Sequence, residues 1–283
     1  MANNVVSPVE QFLRLDPRLT EEDALRLVCD DLLEAAEAEP PVPLEIVASL
    51  RGIAEIRVRH QPWSGMLAPK PASDNFVVTV RSADSRQRQR FTLGHEVAHT
   101  LFAGFSSETR FRCNGERSRL EQLCDIGATE LLFPRRFFLE DLSRSGFDLD
   151  TVEELSKRYD GSIEATSLRT VDLWNQEPAM VLVLSERFKP SERGREAICA
   201  PRLRLDYGHC RGRWPHRLRH KSVADSSALA RAFAGEDVHE ITSVDEILAE
   251  SVGEVEVHAR RYGNKRRVFA LVRPRPNYRP RGI

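Results

Sequence analysis

The segment Phe91–Phe102 reads FTLGHEVAHTLF and holds His95, Glu96 and His99 in the spacing His-Glu-x-x-His. On a helix, residues four apart share a face, so both imidazoles can reach one metal ion, with Glu96 set to one side near a water on that ion. Zinc so held acidifies the water and polarises a scissile carbonyl, while the glutamate takes the proton and later delivers it to the leaving amine. That is the chemistry of peptide-bond hydrolysis. From the frequencies of His and Glu, the motif would arise by chance somewhere in such a chain roughly one time in fifty, so it needs support. The flanking Phe91, Leu93, Val97, Ala98, Leu101 and Phe102 give some: a helix apolar nearly all round is buried, and buried histidines need partners.

A catalytic zinc takes three protein ligands and keeps a fourth position open. The downstream acids are Glu108, Glu116, Glu121, Asp125 and Glu130. Glu121 is the choice for the third ligand, because it lies in LEQLCDIGATELLFP, whose apolar face (Leu120, Leu123, Cys124, Gly127, Ala128, Leu131) would pack against the first helix. Asp125, one turn on, is placed to accept a hydrogen bond from the outer nitrogen of a zinc-bound histidine.

The elements that must position these groups follow from periodicity and caps. Thr20 to Glu37 reads as an amphipathic helix and Leu44–Leu50 as a short one. Ile53–Val58 and Asn75–Val80 have strand character, and the second leads through a polar turn, SADSRQRQR, into the His-Glu-x-x-His helix. The second helix of the site runs from Arg117 to Leu132 and stops near Pro134. This is an α+β pattern. Residues 151–175 form two helices joined by Asp160-Gly161-Ser162, a helix–turn–helix by spacing. Beyond Pro178, Met180–Ser185 and Leu203–Tyr207 read as strands, Ser226–Phe233 and Ser243–Glu250 as short helices. Glu254–Ala259 and Arg267–Val272 form a hairpin around Gly263-Asn264, with a frayed tail after Val272.

At this point the sequence resembles the ImmA/IrrE-type metallopeptidases. RQRFTLGHEVAHTLF followed by Glu121-x-x-Cys124-Asp125-x-x-Ala128-x-x-Leu131-Leu132-Phe133-Pro134 matches their pattern RxRFTLAHExGH and then E-x-x-A-N-x-F-A-x-x-L-L-M-P. The likeness extends through WSGMLAPKPASDNFVVTV before the helix and LSKRYDGSIEATSLR after it, over roughly residues 20–175. By the match, His95, His99 and Glu121 take the metal positions and Glu96 the catalytic one. Departures are Gly94 for Ala, Val97-Ala98 within the motif, Cys124-Asp125 for Ala-Asn and Gly127 for Phe. The resemblance implies a regulated bacterial endopeptidase that cuts a helix–turn–helix repressor at one site, derepressing stress-response or mobile-element genes.

Charge and cysteine usage bound the rest. The net charge of −1 over 283 residues conceals two unlike parts. From Glu186 onward there are 21 Lys+Arg against 13 Asp+Glu, and before it 21 against 30, so +8 faces −9. Arg187–Lys221 is especially rich in arginine, with Tyr207 and Trp214, and suits an acidic partner, nucleic acid or a solvated face. Cys199, His209, Cys210, His216 and His220 lack the spacing of a zinc finger. Five scattered cysteines without a CxxC pair, no signal-like N-terminus and no long apolar run point to a cytoplasmic protein with reduced thiols and no membrane partner.

The expectation is therefore a zincin-like metallopeptidase domain over residues 1–150, a helix–turn–helix segment over 151–178 and a C-terminal α/β regulatory or docking module over 179–283. The cofactor is zinc, with manganese the alternative, and the partner a helix–turn–helix repressor. Two rivals use the metal only structurally: a DNA-binding regulator working through the basic C-terminal part, and a repressor or toxin–antitoxin interaction protein.

Overall fold

The computed structural model describes residues 6–103, 110–112, 118–176, 178–194, 199–263 and 266–275. Glu108, Cys113, Glu116 and Asn264 lie outside them. The chain forms two compact units, Met1–Glu140 with Lys157–Ser162 and Asp141–Ser156 with Ile163–Ile283.

The first unit contains helices α1 (Pro8–Leu15), α2 (Glu21–Ala35) and α3 (Leu44–Leu50), then strands β1 (Ile53–Arg59), β2 (Gly65–Pro69) and β3 (Phe76–Arg81). Helix α4 (Arg86–His99), strand β4 (Arg110–Arg112) and helix α5 (Arg119–Leu132) follow, and α6 (Arg135–Ser145) begins here. The sheet order is β1-β3-β2-β4, with β1 parallel to β3 and β2 antiparallel to both neighbours. Helix α4 packs against β2 and β3 and against α5, which also meets α2.

Caps explain where the helices begin. Thr20 accepts from the Asp23 N–H and the Asp23 carboxylate reaches back, closing a capping box on α2. Ser85 accepts from the Arg88 N–H at 3.3 Å, so α4 starts five residues before the expected Phe91. The polar RQRQR stretch was expected as a turn because it lacks an apolar period; its cap makes it helix. Every residue from Thr92 to His99 is buried, as befits a helix enclosed by sheet and neighbouring helices.

The second unit contains α7 (Leu149–Arg158) up to Ser156, then α8 (Ile163–Leu173), β5 (Ala179–Arg187), β6 (Arg202–Arg211), α9 (Ala228–Ala234), β7 (Val238–Ser243), β8 (Glu254–Tyr262) and β9 (Arg267–Pro274). Its sheet runs β6-β5-β9-β8-β7 and is antiparallel throughout. Residues Ala179 to Leu184 are wholly buried, so β5 reads as an unbroken apolar run, with α8 against β5 and β6 and α9 against β7 to β9. The helix expected over Ser243–Glu250 is not formed. Asp245–Ile247 makes one tight 3-10 turn, and the Asp245 carboxylate is engaged by Ser251 and the Val252 N–H, which curls the chain back. Strand β9 extends to Pro274, two residues beyond the expected end of the hairpin. Among the described residues no helix is long and apolar enough to cross a membrane.

Candidate metal centre

Helix α4 brings His95, Glu96 and His99 into the interior, at 0%, 1% and 3% exposure. Helix α5 supplies the facing groups. Ser118 caps it by accepting from the Glu121 N–H at 3.2 Å, which sets Glu121 in the first turn, where the positive end of the helix dipole favours an anion. The Glu121 carboxylate straddles both imidazoles: Oε2 lies 3.1 Å from His95 Nε2 and Oε1 lies 3.3 Å from His99 Nε2. The two rings are 4.9 Å apart at 76°. Hydrogen bonding to His95 and then His99 holds the Glu121 carboxyl well below the usual carboxylate range.

His95 Nδ1 lies 2.9 Å from Asp125 Oδ1, so the outer nitrogen meets the aspartate that the sequence singled out. His99 Nδ1 lies 3.3 Å from Cys124 Sγ. Residues 121, 124 and 125 share one face of α5 through their spacing of three and four.

This donor set fits a divalent cation. A neutral imidazole carries one N–H, yet His95 faces a carboxylate with each nitrogen, and an ionised carboxylate can only accept. Both contacts are satisfied together when a proton or a metal ion sits between Nε2 and Glu121. A single ion there would serve both rings at once, and donors about 2.0–2.1 Å from a tetrahedral zinc lie about 3.3 Å apart, close to the two Nε2–carboxylate distances. A second triple, His95, His99 and Cys124, also has ligand atoms within 4.8 Å of one another. The thiol, however, faces Nδ1 of His99, across the ring from the nitrogen that meets Glu121, so one ion does not use both sets. The Glu121 set differs in that its carboxylate engages the same nitrogen, Nε2, of both rings.

Close helix packing holds the two halves together. A side chain at Gly127 would place its Cβ 2.7 Å from the Ala98 Cβ, and one at Gly94 would sit 3.4 Å from the Ala128 Cα. Ala98 stands where the family pattern has Gly, and Gly127 where it has Phe, so the added methyl on α4 meets a missing side chain on α5. Sequence reasoning noted both departures without seeing that they touch. It also missed Gly65 of β2: a Cβ there would lie 2.3 Å from Glu96 Oε1 and 2.5 Å from Thr92 Cγ2. The glycine lets the backbone of a central strand lie directly against the Glu96 carboxylate.

Elsewhere, arginines of the basic stretch are drawn into internal bonds. Arg187 pairs with Asp206 at 2.8 Å, buried Arg204 with Glu192 at 3.0 Å, and Arg219 donates to the Asp206 carbonyl at 3.1 Å. His209 meets Asp172 at 2.6 Å and Cys210 meets Arg217 at 2.9 Å, which engages two of the scattered residues separately.

Residues 54–171 match the family described as the IrrE N-terminal-like domain. Two curated relatives are radiation response metalloproteases IrrE. The one from Deinococcus deserti is 34% identical over 99 residues, which are 33% of this chain and 34% of the relative. The one from Deinococcus radiodurans is 32% identical over 133 residues, 45% of this chain and 36% of the relative. The match thus spans about a third of the length of these relatives. Among solved structures, a Mycobacterium tuberculosis transcriptional regulator aligns with a TM-score of 0.56 at 13% identity, over 94% of this chain and 80% of its own, a likeness of fold alone. Motif, geometry and family match agree: over residues 54–171 the chain is similar to the IrrE N-terminal-like domain and to the IrrE metalloproteases.

Proposed function

We propose that this protein is a cytoplasmic zinc-dependent endopeptidase that cuts a helix–turn–helix transcriptional repressor at one site and so releases stress-response or mobile-element genes. The observation that carries the enzymatic part is the Glu121 carboxylate bridging His95 Nε2 and His99 Nε2, with Glu96 buried one residue from the first ligand. The substrate class rests on the family resemblance, and the stress-response part on the radiation response named for the two Deinococcus relatives.

In this reading His95, His99 and Glu121 would hold the ion, and Asp125 would fix the His95 ring by accepting from Nδ1. Zinc, when bound there, supplies a Lewis acid that polarises the scissile carbonyl and acidifies the attacking water. Glu96 would act as the general base and acid, taking a proton from the attacking water on a carboxylate oxygen and returning it to the amine nitrogen as the peptide bond breaks. Gly65 keeps the Glu96 carboxylate in place by leaving room for it against β2. The 151–178 segment and the module beyond it serve as docking or sensing parts.

The test is incubation of the zinc-loaded protein with the helix–turn–helix repressor encoded nearest to it. A discrete cut with the wild type and none with Glu96→Gln is expected. An intact repressor with both, or equal cutting by both, overturns the reading.

A further inference from the structure

Helix α5 meets the two histidines with three side chains of one face. Glu121 reaches both Nε2 atoms, Asp125 reaches Nδ1 of His95, and Cys124 reaches Nδ1 of His99 at 3.3 Å. We propose that Cys124 is a positioning residue for His99: its sulfur accepts the Nδ1–H hydrogen bond and so keeps the Nε2 lone pair turned toward Glu121. Cys124 thereby does for His99 what Asp125 does for His95. The inference rests on the zinc reading above.

The argument is one of proton placement. A neutral imidazole that offers Nε2 as a ligand carries its proton on Nδ1, and that N–H needs an acceptor. Cys124 and His99 are both buried, so an Nδ1–H deprived of its acceptor would bear the cost of desolvation. Sulfur is a weak acceptor, and at 3.3 Å it is well placed for one. The family pattern has alanine at this position, which cannot accept, so the tether belongs to this chain's own residues.

The experiment compares full-length wild type, Cys124→Ala, Cys124→Ser and Glu121→Ala. Zinc affinity is measured by competition with a chromophoric chelator, and the His99 tautomer is read from long-range ¹H–¹⁵N spectra of the zinc-loaded protein. Loss of a hydrogen bond to a ligating histidine weakens binding by about tenfold or more. Cys124→Ala is therefore expected to bind zinc about tenfold more weakly and to lose the hydrogen-bonded Nδ1–H signal of His99. Cys124→Ser, which restores an acceptor, is expected to recover part of both. Zinc affinity of Cys124→Ala within twofold of wild type, while Glu121→Ala loses the metal, overturns this inference alone. Cys124→Ser as weak as Cys124→Ala also overturns it, since it would leave packing as the cause. Wild type that binds no zinc, or binds it no better than Glu121→Ala, overturns the zinc reading itself.

Discussion

Replacing Gly65 by alanine separates metal binding from catalysis. The added Cβ would lie 2.3 Å from Glu96 Oε1 and 2.5 Å from Thr92 Cγ2. Carbon–oxygen contacts are comfortable only beyond about 3.3 Å, so something must move by about 1 Å. Strand β2 is held on both edges, Gly65 pairing with Val80 on one side and Arg112 on the other, and cannot retreat. Thr92 is β-branched, fully buried and stiff. The group that yields is the carboxylate end of Glu96. A general base displaced by about 1 Å costs about 10²-fold in rate, while the overpacking costs about 1–3 kcal/mol of stability. Neither histidine nor Glu121 is among the atoms nearest that Cβ, so zinc content stays at the wild-type level. The assay is the cleavage rate of the repressor substrate beside zinc content by plasma emission. Cleavage within threefold of wild type in a folded, zinc-replete Gly65→Ala protein would refute the positioning argument. A parallel loss of zinc would refute it equally, by showing that residue 65 supports the ligands.

Other consequences follow from the same contacts. Gly127→Ala is expected to destabilise by about 1–3 kcal/mol through the 2.7 Å clash with Ala98, offset by about 1 kcal/mol of helix propensity; in an Ala98→Gly background the penalty disappears, which a denaturant double-mutant cycle measures. Ser118→Ala removes the cap on α5 at a cost of about 1 kcal/mol and loosens the turn that carries Glu121, so chelator competition reports weaker zinc binding. In the second unit, burial pushes the His258 imidazole below its ordinary value; its Nδ1 accepts from the Leu149 N–H at 3.1 Å and its Nε2 faces Asp237. The folded form thus binds a proton less readily than the unfolded chain, and the stabilisation present above about pH 6.5 is lost as pH falls below it. Calorimetry between pH 7 and about 5.5 shows a falling melting temperature, with a shallower fall in His258→Gln.

The residues that cluster at the candidate site stand out in the sequence because their constraint is local. The spacing of His95 and His99 needs only a helix, and Glu121 and Asp125 follow from one apolar face and the family pattern. What escaped depends on distant contacts. Strand β2, GMLAP, has no alternation and ends in proline, and β4 has three residues, so neither stands out from a loop. The meaning of Gly65 appears only when a strand meets a helix some thirty residues further on. Cys124 was counted among apolar face residues, which its burial bears out, yet its sulfur touches His99. The Ser243–Glu250 stretch has helical composition, and a side-chain bond from Ser251 to Asp245 overrides it.

In the proposed enzyme the two Nε2 atoms and the Glu121 carboxylate form the metal site. Zinc-edge X-ray absorption on the zinc-loaded, full-length protein tests it most directly. The expected spectrum has nitrogen and oxygen neighbours alone at about 2.0–2.1 Å. A sulfur neighbour at about 2.3 Å would place the ion on Cys124 instead and contradict the account, as would a protein that retains no zinc.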